Sequence, residues 1–267
     1  MTIADIVQTI EAYAPPVLQE SWDNTGWQVA PTDISDQCSG VMLCLDVTPC
    51  VVDEARSKGC NLIISHHPLI FRGLRSITGA TGTERAVFDA IRSGIAIYSS
   101  HTALDSAPGG VSCELGTRLG LTDMRPLSTS VTGIDGAGLG VIGTAPGGTM
   151  TRDELIDSVK RVYAAPRVRV TEGRPADNGT IRTIALSSGS GGEFITTAIA
   201  LGADAYITSD VRYHDFLDHG REILIIDTGH FESEICTKSI FSRIISQKFP
   251  NFAVHMATCE HNPVEYI

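Results

Sequence analysis

Two adjacent histidines close an apolar run, Leu62-Ile63-Ile64-Ser65-His66-His67-Pro68. Two later segments carry related side chains, His101-Thr102-Ala103-Leu104-Asp105 and Asp227-Thr228-Gly229-His230-Phe231-Glu232-Ser233-Glu234. Each follows a short hydrophobic stretch of strand type, at residues 61–64, 95–98 and 223–226. Ligands of open α/β sheets bind outside the carboxyl ends of the strands, so three strand ends bearing His, Asp and Glu predict one shared site. Imidazole with carboxylate is a donor set for a borderline divalent metal such as zinc, iron, manganese, cobalt or nickel, and it does not choose among them.

Successive side chains of a strand face opposite ways, so His66 and His67 do not serve one small ion from inside a regular strand. At a strand end they splay towards two neighbouring ions, and Pro68 keeps His67 extended. His230 and Glu234 are four apart at the start of an expected helix, which stacks them on one face. Gly229 frees the backbone to turn out of the strand, and Asp105 arrives from the crossover after His101. The donors His66, His67, Asp105, His230 and Glu234 exceed what a single tetrahedral ion takes, which predicts a centre of two divalent ions bridged by carboxylate and solvent. Two such ions outweigh two carboxylates in charge, so the site attracts hydroxide, phosphate or another anion.

Taken singly, each motif has an ordinary explanation, such as a surface histidine pair, a cap or a solvated helix face. Their joint placement after three strands is what points to a site. His101 and His214 are the candidate proton carriers, with Asp210 beside His214. The run from Ser187 to Gly192 precedes a helix but lacks the lysine of a P-loop, and it reads as a tight turn.

The elements that must position these side chains alternate between strand and helix signals, which predicts an α/β fold with largely parallel sheets. The stretch from Gly59 to His66 echoes the one from Gly202 to Ser209 in pattern. That echo predicts two pseudo-related α/β modules with the metal site at their interface. The first spans residues 1–124, with 250–267 packing back on it, and the second spans 125–249. Residues 121–148, rich in Gly, Thr and Ser, read as the crossover. Thr151 to Glu154 form a capping box, and one late helix is expected over 231–247.

Acidic residues number 31 against 20 Lys and Arg, for a net charge of -11, which opposes the basic footprint of nucleic-acid binding. No apolar run approaches the roughly 20 residues that span a bilayer, and residues 1–13 form an amphipathic helix rather than a signal peptide. Seven cysteines with no CxxC pair do not make a closed disulfide framework, and a cytoplasmic location is expected.

The motifs resemble those of the hexameric dinuclear-metal-centre family, the type 2 homologues of GTP cyclohydrolase I. The likeness runs through Trp22-Asp23-Asn24-Thr25-Gly26, Ser65 to Phe71, His101 to Asp105, Gly189-Ser190-Gly191, Thr208 to His214, Gly229 to Glu234, and Asn262-Pro263. It implies metal ligation by the same five residues, two interlinked α/β domains, and a toroidal homohexamer built as a trimer of dimers with metals facing an internal cavity. The expected activity is metal-dependent hydrolysis of a small anionic or nucleotide-like molecule. The alternative is a non-enzymatic ring that stores, senses or delivers metal, or scaffolds a partner.

Overall fold

The computed structural model describes residues 1–174 and 179–267. In chain order it runs α1 (Ile3–Tyr13), β1 (Gly26–Val29), β2 (Val41–Cys44), α2 (Pro49–Ser57), β3 (Leu62–Ser65), α3 (Gly82–Ser93), β4 (Ala96–Ser99) and α4 (Thr102–Ser106). There follow α5 (Val111–Leu119), β5 (Thr122–Thr129), β6 (Gly138–Thr144), β7 (Met150–Thr151), α6 (Arg152–Val162), β8 (Arg169–Val170), β9 (Thr180–Ile181) and β10 (Thr183–Ser190). The chain ends with α7 (Ile195–Ala200), β11 (Ala205–Ser209), α8 (Tyr213–His219), β12 (Leu224–Asp227), α9 (His230–Glu234), α10 (Thr237–Lys248) and β13 (Val254–Met256). It divides into two compact units, residues 1–107 with 237–261, and residues 108–236 with 262–267.

The first unit is built on a five-stranded sheet in the order β1-β4-β3-β2-β13. Strands β13, β2, β3 and β4 pair in parallel, and β1 closes the edge antiparallel. Every residue of β2, β3 and β4 is buried, as expected for parallel strands covered on both faces. Met42, Ile63 and Ile97 pack with Val51, Val52 and Ala55 of α2 and with Ala86, Val87 and Ala90 of α3. Helix α1 starts at a Thr2–Asp5 capping box and buries Ile3, Ile6, Val7 and Ile10.

In the second unit the order is β5-β6-β10-β11-β12-β8. Strands β10, β11 and β12 are parallel neighbours, and β8 pairs antiparallel with β12. The expected echo is therefore topological: both units carry three parallel strands in sequence order, with an antiparallel strand beside the third. Ala185, Tyr206 and Ile225 form the core with Ile195 and Ala198 of α7. The Thr151–Glu154 capping box opens α6 as expected.

Three sequence expectations differ from the structure. Residues 121–148 are not a bare crossover but contain the antiparallel hairpin β5–β6. Gly133 and Gly136, at φ of 77° and 73°, let the chain reverse between its arms. The single late helix is two, α9 and α10, because the chain passes from one unit to the other between Cys236 and Thr237. By the same division α10 belongs with the first unit, α5, beyond the boundary after residue 107, with the second, and residues 262–267 with the second, whereas boundaries near 124 and 249 divide the chain differently. Among the described residues, no helix is long and apolar enough to cross a membrane.

Ile63 is fully buried at the centre of the first sheet. Ile63→Ala should lower unfolding stability by about 2–5 kcal/mol, read as a lower urea midpoint, and an unchanged midpoint would contradict this packing.

Candidate metal centre

Strand register sets the histidine pair. Ser65 of β3 and Ser99 of β4 are register partners, their hydroxyls are 2.7 Å apart, and both donate to the His67 carbonyl, at 2.8 and 3.2 Å. The His66 amide donates to the Cys44 carbonyl and the His67 amide to the Leu45 carbonyl, at 3.2 and 3.0 Å, so the ladder with β2 continues past the end of β3. The two rings leave that point with centroids 5.2 Å apart. The His101 ring, from the end of β4, lies 5.2 Å from His66 and 5.4 Å from His67.

Each ring is fixed through Nδ1. His66, fully buried, donates to the Ser100 carbonyl at 3.1 Å. His67 donates to Asp46 at 2.8 Å and His101 to Asp23 at 2.7 Å. A carbonyl or carboxylate can only accept, so each ring carries a proton on Nδ1, and in the neutral ring the lone pair is then on Nε2, the tautomer a metal-binding histidine needs. Burial opposes charge on Asp23, but hydrogen bonds from His101, Thr102 and Thr25 outweigh it and hold its carboxyl well below the usual range.

The donor set fits a divalent metal. One potential ligand atom from each of His66, His67 and His101 lies within 4.8 Å of the others. His66 Nε2 stands 3.7 Å from Asp105 Oδ2, too long for a hydrogen bond. Two donors on one tetrahedral ion, each at about 2.1 Å, are roughly 3.4 Å apart.

In the second unit, Gly229 turns β12 into α9 at φ 89°, and a Cβ there would come within 2.5 Å of Glu232. Asp227 holds that turn by accepting from Gly229 N at 3.1 Å and Val211 N at 2.9 Å, and it pairs with Arg169. The turn sets His230 above Glu234, with Nε2 2.9 Å from the carboxylate, while Nδ1 meets Asp210 at 2.7 Å. Gly189, at φ 60°, leaves the space that Glu234 fills, and its amide donates to Ser233 Oγ at 3.0 Å. The glycine-rich turn thus supports α9.

The sequence-predicted ligands come from both units. His66, His67 and Asp105 gather in the first unit and His230 with Glu234 in the second. His101, the candidate proton carrier, stands beside His66 and His67 with its Nδ1 held in the same way. His214 is exposed on α8 with its ring edge-on to Tyr213, and Asp210 is the residue of that segment that reaches His230. Asp46, the space that Gly189 leaves for Glu234 and the partner role of Asp23 are not singled out in the sequence. Asp46 was open to the same strand-end rule, applied to β2.

The fold and site define an α/β protein whose strand ends carry clustered imidazoles and carboxylates able to bind metal. The model of the Duf34/NIF3 (NGG1p interacting factor 3) family matches residues 1–263, and the chain belongs to that family. A Lactococcus lactis protein named GTP cyclohydrolase 1 type 2 homolog is 34% identical over 255 residues, covering 94% of this chain and 93% of the relative. NIF3-like protein 1 of Drosophila melanogaster is 32% identical over 236 residues, covering 87% and 77%. The crystal structure of Staphylococcus aureus protein SA1388 superposes with a TM-score of 0.87 at 27% identity, over 100% of this chain and 99% of that one. A Bacillus cereus protein related to NIF3 shares the fold, with a TM-score of 0.86 at 23% identity over 100% and 99%.

Burial disfavours a charged His230, but the hydrogen bonds to Asp210 and Glu234 and their negative charges outweigh it and push the ring up to about 11 from 6.5. This folded value lies above the unfolded one, so its stabilisation is complete below the unfolded pKa and is lost as pH rises through about 11. In metal-free protein, His230 should therefore remain imidazolium at pH 8 by nitrogen-15 NMR. Asp210→Asn should lower its pKa by about 1–3 units; an unchanged titration would contradict the pairing.

Proposed function

We propose that this protein is a dinuclear-metal-dependent hydrolase acting on a small anionic or nucleotide-like substrate. The observation that carries this is the set of three imidazoles, His66, His67 and His101, locked through Nδ1 so that each offers Nε2. In this reading they act together with Asp105, His230 and Glu234 as the holders of two divalent cations. Such ions, when bound, polarise a substrate oxygen and bring the pKa of water towards neutrality.

The chain's own residues supply orientation and proton balance. Asp46 and Asp23 fix the orientation of the His67 and His101 rings. The pair His230–Glu234, which holds a proton in metal-free protein, gives it up when the site loads. His214, exposed on α8, carries protons to and from solvent. Trp22 and Phe71 are exposed, with rings edge-on to His101 at 6.1 and 6.3 Å. They offer π faces beside the imidazoles, which supports a substrate with a planar ring, as do relatives named GTP cyclohydrolase 1 type 2 homolog. The proposal includes assembly as a homohexamer, supported by the family resemblance of the motifs, and a cytoplasmic location. The acidic charge of -11 argues against a nucleic-acid partner.

The test is a screen of nucleoside phosphates and other phosphorylated metabolites with metal-analysed protein beside His67→Ala and Asp46→Asn. Wild type should turn over a substrate with two metal equivalents per chain, and His67→Ala should not. Asp46→Asn should lose about 10–100-fold in metal affinity. Turnover that persists in metal-stripped His67→Ala would overturn the proposal, and reversible metal exchange with no product would favour the non-enzymatic ring.

A further inference from the structure

Away from the candidate centre, the first unit brings together two thiols from distant parts of the chain. Cys50 stands exposed in the first turn of α2, after the Thr48 cap and Pro49. Glu54 follows one helical turn later on the same face. Its carboxylate accepts from Thr258 N at 2.9 Å, Thr258 Oγ1 at 2.7 Å and Cys259 N at 3.1 Å. This pins the backbone of Cys259 against the face of α2 that carries Cys50, and the Cys50 thiol is among the neighbours that raise the Cys259 thiol. The next residue ties the same segment to β2: Glu260 accepts from the amides of Leu45 and Asp46 at 2.8 and 2.9 Å and pairs with Lys238 at 2.8 Å.

We infer that Cys50 and Cys259 form a reversible disulfide that clamps the C-terminal segment carrying Glu260 onto α2 and the end of β2. The oxidant is a low-molecular-weight disulfide. Cys50, the exposed thiol, attacks it as thiolate; the reagent's S–S bond breaks, one thiolate leaves, and a mixed disulfide forms on Cys50. Cys259 then loses its proton, attacks the Cys50 sulfur and expels the second thiolate. The two protein thiols give up two electrons and two protons, and the reagent becomes two small thiols.

Burial, the hydrogen bond with Cys50 and the neighbouring Glu54 push the Cys259 thiol up to about 12. The second step is accordingly the slower one. The proton of Cys259 goes to the expelled small thiolate, a far stronger base than the Glu54 carboxylate, which is held well below the usual carboxylate range. The clamp acts on the peptide of Asp46, the residue that holds the His67 ring. It depends on thiols and backbone alone and stands apart from the proposed hydrolase activity.

The experiment treats the full-length protein with oxidised glutathione, then unfolds and alkylates it for mass analysis. The seven thiols should fall by two, a non-reduced peptide map should show Cys50 joined to Cys259, and dithiothreitol should restore both. Cys113→Ser should leave the cross-link intact, whereas Cys50→Ser and Cys259→Ser should each abolish it. Hydrogen exchange at the Leu45 and Asp46 amides should slow at least about tenfold on oxidation, as expected when a local opening is restrained. Glutathione adducts without the Cys50–Cys259 peptide, a cross-link joining two chains, or unchanged exchange at those amides would each overturn the inference.

Discussion

Everything at the candidate centre depends on how three imidazoles are held from behind. A histidine ring has two nitrogens, and a group that only accepts at Nδ1 leaves Nε2 with its lone pair outward. Asp46 does this for His67, Asp23 for His101 and the Ser100 carbonyl for His66. These acceptors come from three places, the end of β2, the loop before β1 and the end of β4. The site is thus a consequence of strands ending in line, and a displaced strand end would lose both a ring and its support.

Parallel pairing brings those ends together. In the first unit β2, β3 and β4 stop side by side, and the Ser65–Ser99 pair joins two of the ends through the His67 carbonyl. The second unit repeats the device with β10, β11 and β12, where the turn after β12 needs a residue without a side chain at 229 and another such residue at 189 beneath Glu234. The buried hydroxyls of Ser65, Ser99 and Ser233 find partners at these places, as low-dielectric surroundings require. The rigidity this provides is what separates a binding site from a collection of polar side chains.

Much of this was legible before any coordinates. Apolar runs marked the central strands to within a residue or two, and His66, His67, Asp105, His230 and Glu234 stood out because they follow such runs. The Thr151–Glu154 capping box and the turn at Gly229 followed from local chemistry. Less visible were features decided by tertiary contact: the hairpin β5–β6, whose glycine-rich sequence resembles a linker, and the interruption between α9 and α10, where periodicity continues but the chain changes unit. Asp46 was hidden because a single carboxylate after a strand says nothing until the ring it faces is known. His101 stands out in the sequence as a candidate proton carrier, but sequence spacing does not reveal that Asp23 holds its Nδ1.

In the proposed centre, imidazoles and carboxylates, rather than any of the seven thiols, would hold the metal. X-ray absorption fine structure of the metal-loaded protein tests it most directly. The account predicts nitrogen and oxygen neighbours at about 2.0–2.2 Å, with the outer scattering of several imidazole rings. A sulfur shell at about 2.3 Å, or a spectrum without imidazole scattering, would contradict it.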